Sequence, residues 1–221
     1  MKNTTLSTNK IIILVAFACT AIMTFVLVSH MREKPISLLS PDEGIIFPAA
    51  RDIKSFELVT GNSQIFTEKN FRDHWTLLFF GFTHCSNVCP TTLDMLQRVY
   101  TKLHPAFPSL QIVLISLDPE RDSPSALLNY TKSFNPDFIG ASGKLQELRK
   151  IQSQLGIYSA RDNESVNYQL QHTASILLID PKGKWAGLFK YGMNPKQFAN
   201  AFVTSMRQLQ LYSAQARETT A

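Results

Sequence analysis

An α/β domain with a central mixed sheet flanked by helices is the fold class the sequence predicts, and three features carry that reading. Short continuous apolar runs at 76–82 (TLLFFGF), 111–117 and 175–179 have the length of strands buried on both faces. Longer helical stretches separate them. Two of these stretches open on Ser123-Pro124 and Asn194-Pro195, a capping residue followed by proline at the first helical position.

Taken in order, Phe56–Thr60 and Gln64–Thr67 flank Gly61-Asn62 and predict an N-terminal β-hairpin. The strand at 76–82 follows, then a helix over Pro90–His104 and a strand over Gln111–Leu117. A helix opens at Ser123-Pro124 and another spans Ser142–Leu155. The strand Ser175–Ile179 turns at Asp180-Pro181-Lys182-Gly183 into a pairing segment, Trp185–Lys190, before the final helix. The order β-β-β-α-β-α-α-β-β-α implies a sheet covered by helices. Tyr158–Gln171 lacks apolar periodicity and predicts a mobile loop leading to His172.

The 221 residues are 44% hydrophobic and 18% charged, which excludes a disordered chain. Net charge is +5, but residues 1–34 hold Lys2, Lys10, Arg32 and Lys34 against Glu33, leaving only +2 for residues 35–221. A body so nearly neutral, without a basic stripe, argues against nucleic acid as the main partner. The basic residues instead flank a run of 18 uncharged residues, 11–28. As a helix that run would be about 27 Å long, close to the roughly 30 Å hydrocarbon core of a bilayer. The organisation expected is a tail at 1–10, a single transmembrane anchor at 11–28, a proline-punctuated tether at 29–54 and a globular domain at 55–221. A cleaved signal peptide and lipid attachment at Cys19 are the alternatives to an anchor. The thin positive-inside bias predicts the N-terminus inside and the domain outside the cytoplasm. The ten residues ahead of the run contain no arginine and leave no room for a mitochondrial presequence, so a bacterial inner membrane with a periplasmic domain is expected.

Three cysteines are too few for a disulfide framework. Cys85 and Cys89 lie where the strand ending at Phe82 meets the helix beginning at Pro90, at the carboxyl edge of the sheet where open α/β folds place their sites. A helix start stabilises a thiolate. The four-residue spacing lets both sulfurs face one side, to close a disulfide or to clamp one soft metal.

Three separated blocks, FFGFTHCSNVCPTTLDML (79–96), SLDPERDSP (116–124) and QHTASILLIDPKGKW (171–185), resemble the SCO/SenC proteins, membrane-anchored copper chaperones that assist assembly of cytochrome c oxidase. The resemblance implies a thioredoxin-like fold. It also implies a copper ion, Cu(I) or Cu(II), held by Cys85, Cys89 and His172, and as partners the copper-bearing oxidase subunit, a copper donor protein or a thiol reductase. Two thiolates and one imidazole suit either oxidation state of copper, and zinc accepts the same set. The chain departs from the family pattern at Ser86-Asn87-Val88 and at Gln171, where family members commonly carry carboxylates.

Asp118 and Asp122 read as turn and cap residues ahead of the Ser123 helix, with a supporting or docking role beside Arg121 as the alternative. His84, next to Cys85, is expected to point away. Met95, Met193 and Met206 read as packing residues. The leading expectation is metal delivery. The second is a thiol:disulfide oxidoreductase that keeps the copper-ligand cysteines of the oxidase reduced through Cys85 and Cys89. A peroxidase reading of Val88-Cys89-Pro90-Thr91 is disfavoured by Phe82 and Ser86.

Overall fold

Each apolar run becomes a strand in the computed structural model, which describes residues 17, 19–24, 38–163, 165 and 167–218. The chain divides into two units, Met1–Ser37 and Leu38–Ala221. In the second unit the elements are β1 Gly44–Arg51, β2 Leu58–Thr60, β3 Ile65–Phe66, β4 Trp75–Gly81, α1 Val88–Leu103, β5 Leu110–Ser116, α2 Pro124–Phe134 and β6 Ile139–Ser142. They continue as α3 Leu145–Gln154, β7 Ser159–Arg161, β8 Leu170–His172, β9 Ile176–Ile179, β10 Trp185–Phe189 and α4 Pro195–Glu218.

Eight strands make one sheet in the order β1-β10-β9-β4-β5-β6-β2-β3, and β7 and β8 form a separate two-stranded ribbon. β5 runs parallel to both β4 and β6, whereas β9 is antiparallel to β4. Alternation along the central strands sorts side chains between two cores. Leu77 and Phe79 join Leu93 and Leu96 of α1 and Phe198 and Phe202 of α4 on one face. Leu78 and Phe80 join Leu148 and Ile151 of α3 on the other. All four of those β4 side chains are fully buried. At about 1.5–3 kcal/mol for each large apolar side chain, this double burial anchors β4 at the centre of the fold.

The helix starts behave as their capping residues predict. Ser123 Oγ accepts from Ala126 N–H at 3.2 Å, and Asn194 and Gln197 cap one another reciprocally. The hairpin also forms, with Leu58 opposite Phe66.

Three expectations need correction. The 29–54 tether is not wholly a tether, because Gly44–Arg51 is an edge strand paired with β10. Pro48 hides it in the sequence, yet an edge strand tolerates proline, and the register shifts between Ile46 and Arg51. Ser142 closes β6 rather than opening a helix, so α3 begins at Leu145. β6 is only four residues long, with small Gly140 and Ala141 at its centre, and presents no apolar run. The loop expected at 158–171 contains the β7–β8 ribbon. Most of the expected membrane anchor at 11–28 lies outside the described residues. Among those described, Phe17 and 19–24 are helical, and no helix is long and apolar enough to cross a membrane.

Candidate metal and redox centre

The site begins at the carboxyl end of β4. After Gly81 the chain turns, with Cys85 N–H donating to Phe82 O at 3.3 Å, and enters α1 with Cys89 as its second residue. Asn87 precedes this helix but its side chain makes no capping hydrogen bond. The vacant role falls to a sulfur, because Cys89 N–H donates to Cys85 Sγ at 3.3 Å. An otherwise unpaired first-turn amide and the positive end of the helix thus both face Cys85.

Electrostatics separate the two thiols. Cys85 is held down at about 4, chiefly by a hydrogen bond from the Cys89 thiol, with His172 and the amides of Cys89 and Asn87 adding to it against partial burial. Cys89 is pushed strongly upward by that same hydrogen bond and by its burial. Cys85 is therefore the thiolate, half-exposed at the rim, and Cys89 the buried thiol behind it. Both sulfurs are free. Gly81 makes room for this arrangement, since a Cβ there would lie 2.9 Å from Cys89 Sγ and 3.1 Å from the Phe79 ring.

His172 arrives from the end of β8. Its Nε2 lies 3.7 Å from Cys89 Sγ, and its Nδ1 is 3.0 Å from Thr173 O. A carbonyl can only accept, so Nδ1 donates to it, and Nε2 is the ring nitrogen turned toward Cys89 Sγ. The ring sits edge-on to Phe79 and Phe82, with centroids 6.0 and 6.1 Å away. The three candidate donor atoms, two sulfurs and one nitrogen, lie within 4.8 Å of one another. The trio expected from the sequence is thus brought together. His84 stays outside it, with its ring nitrogen 3.0 Å from Thr83 Oγ1.

Asp118 opens the expected turn, its carbonyl accepting from the amides of Arg121 and Asp122, while Ser123 rather than either aspartate caps the helix. Both carboxylates are buried, each only 2% exposed. Asp122 accepts from Thr83 N–H at 3.2 Å and from the hydroxyls of Thr83 and Ser116, which ties the turn after β4 to the end of β5. Asp118 accepts from Arg121 Nε at 2.6 Å and from the Tyr168 hydroxyl. Tyr168 is the member of this network that no sequence pattern announced. The available signal was the density of polar residues in SLDPERDSP directly after a buried strand. Tyr130 is a second addition: its buried hydroxyl has no hydrogen-bond partner among the described residues, and burial, then the charges of Cys89, Cys85 and Asp122, push it upward.

The family model described as SCO1/SenC matches residues 48–207, which contain all of these groups. The chain belongs to the SCO1/SenC family. An SCO2-like protein of Rickettsia prowazekii is 33% identical over 150 residues, covering 66% of this chain and 73% of that one. Among solved structures, Bradyrhizobium japonicum ScoI with copper bound is 32% identical, with a TM-score of 0.62 over 68% of this chain and 98% of that one. Arabidopsis thaliana ScoI, also with copper bound, is 28% identical, with a TM-score of 0.67 over 70% and 98% of the two chains. The sheet and its covering helices match these thioredoxin-like Sco structures.

Proposed function

We propose that this protein carries copper as cargo, held by Cys85, Cys89 and His172, and delivers it to the copper-bearing subunit of cytochrome c oxidase. The observation that carries the reading is the approach of two sulfurs and one imidazole nitrogen to within 4.8 Å at the rim of the sheet. The donor chemistry fits. Soft thiolates favour Cu(I), and the imidazole adds a donor both oxidation states accept. Zinc fits the same donors, and the preference for copper rests on the family relatives solved with that metal. The wider setting is a bacterial inner membrane, with residues 11–28 as a single-pass anchor and the domain in the periplasm. A copper donor protein or a thiol reductase would act before delivery.

Anaerobic titration of the reduced protein with Cu(I) tests this. One equivalent per chain is expected, lost in Cys85→Ser and lowered in His172→Ala. Unchanged stoichiometry and affinity in both variants would reject it.

The asymmetry of the thiols favours a second reading, a thiol:disulfide oxidoreductase acting on the cysteines of the oxidase. A half-exposed thiolate backed by a buried thiol is the arrangement of an attacking and a resolving sulfur. His172→Ala separates the readings, because Cu(I) affinity should fall markedly while disulfide exchange survives.

A further inference from the structure

His172 reaches the thiols on a ribbon that does not belong to the main sheet. Three register pairs join β7 to β8, Ser159 with His172, Ala160 with Gln171 and Arg161 with Leu170. Behind the ribbon lies a cavity of about 530 Å³, bounded by Leu117, Leu148 and Gln152 on one side and Ala160, Tyr168 and Leu170 on the other. The ribbon is not loose above this cavity: Leu170 packs against both cores, and Gln152 Nε2 donates to Ser159 Oγ at 2.9 Å. The cavity interrupts that packing, which leaves a share of the attachment to polar and ring contacts.

Several of those contacts meet at one residue. Tyr168 is 5% exposed although it lies in a polar segment. Its hydroxyl donates to Asp118, the buried carboxylate at the end of β5. The Arg121 guanidinium lies 3.5 Å from the centre of its ring and that of Arg161 lies 4.2 Å away. Arg121 belongs to the loop after β5 and Arg161 to the ribbon, so the ring joins the two. Around it, Arg161 pairs with Glu120 at 2.6 Å, and Gln169 donates to His84 O at 3.1 Å, in the turn that carries the cysteines.

We infer that Tyr168 is a positioning residue for His172: its ring and hydroxyl latch the β7–β8 ribbon to the Asp118–Asp122 loop and so hold the imidazole over the two thiols. The inference rests on His172 serving as a donor to the cargo. A donor in place for only a tenth of the time weakens the affinity it supports by about tenfold. A latch four residues before the histidine has that leverage without touching the metal. Phe82 links the two features, since its ring meets His172 on one side and the Arg121 guanidinium, 6.0 Å away, on the other.

The test is a double-mutant cycle on the reduced full-length chain, with Cu(I) affinity read by competition against a chromophoric chelator. Tyr168→Phe keeps the ring and removes the hydroxyl. It is expected to weaken Cu(I) binding about tenfold in the wild-type background and not at all in His172→Ala. Equal loss in both backgrounds would overturn the latch. A second readout needs no metal. Amide exchange at 159–161 and 170–172 should accelerate in metal-free Tyr168→Phe while that of β4 stays unchanged, and unaltered exchange in the ribbon would likewise overturn it. If wild type and His172→Ala bind Cu(I) equally, the delivery reading fails instead, and the exchange result still decides the latch. Should Tyr168→Phe lose its near-UV dichroism, Arg161→Gln enters the same cycle, with the same background dependence expected and additivity counting against the proposal.

Discussion

The two halves of the site are held by different kinds of force. The thiol half rests mainly on backbone: β4 is buried on both faces, α1 begins with an amide on the Cys85 sulfur, and Asp122 adds a side-chain tie at the turn between them. The imidazole half is side-chain-built, on a ribbon secured by Tyr168, Arg121 and Asp118. A site made this way pairs a rigid clamp with a detachable donor. That contrast suits the proposed carrier, which would both bind and release.

The contrast can be broken from either side. Removing a sulfur should have the largest effect, with Cys85→Ser and Cys89→Ser abolishing Cu(I) retention in dialysis against a chelator. Gly81→Ala comes next, because its Cβ would lie 2.9 Å from Cys89 Sγ on a strand buried on both faces. It should cost about 1–3 kcal/mol in urea unfolding and displace the thiol. Asp122→Asn removes a carboxylate that gathers Thr83 and Ser116, and a loss of about 1–3 kcal/mol is expected, with Cu(I) affinity changing less than in Gly81→Ala.

The thiol half also predicts a pH dependence. Cys85 is a thiolate down to about 4, so its rate of alkylation should stay nearly flat from pH 8 to pH 5 and fall only as protonation sets in below that. An ordinary thiol loses rate tenfold per unit over the same span, and that outcome would mean Cys89 does not donate to it. The smallest effect should come from Arg161→Gln at the exposed outer edge of the ribbon, with melting temperature nearly unchanged.

Legibility in the sequence follows the same division. The strands over 76–82 and 111–117 announce themselves because a doubly buried strand needs every residue apolar. The capped starts at Ser123 and Asn194 were equally plain, since capping is local chemistry. Cys85 and Cys89 were readable for the same reason, lying on a strand-to-helix junction whose geometry the neighbouring residues dictate. His172 was not, on its own residues, because a distant side chain owes its place to Tyr168 and Asp118, about 50 positions apart in the chain. Its selection came through the family resemblance. The β7–β8 ribbon and β6 escaped for a related reason. Strands of three or four residues bury too little to leave a period, and β1 was masked by Pro48.

One consequence follows from the bond between His172 Nδ1 and the carbonyl of its own neighbour, Thr173. Swinging the ring away from the sulfurs breaks that bond, at a cost of about 0.5–1.5 kcal/mol, whereas withdrawal of the peptide that carries the ring leaves it intact.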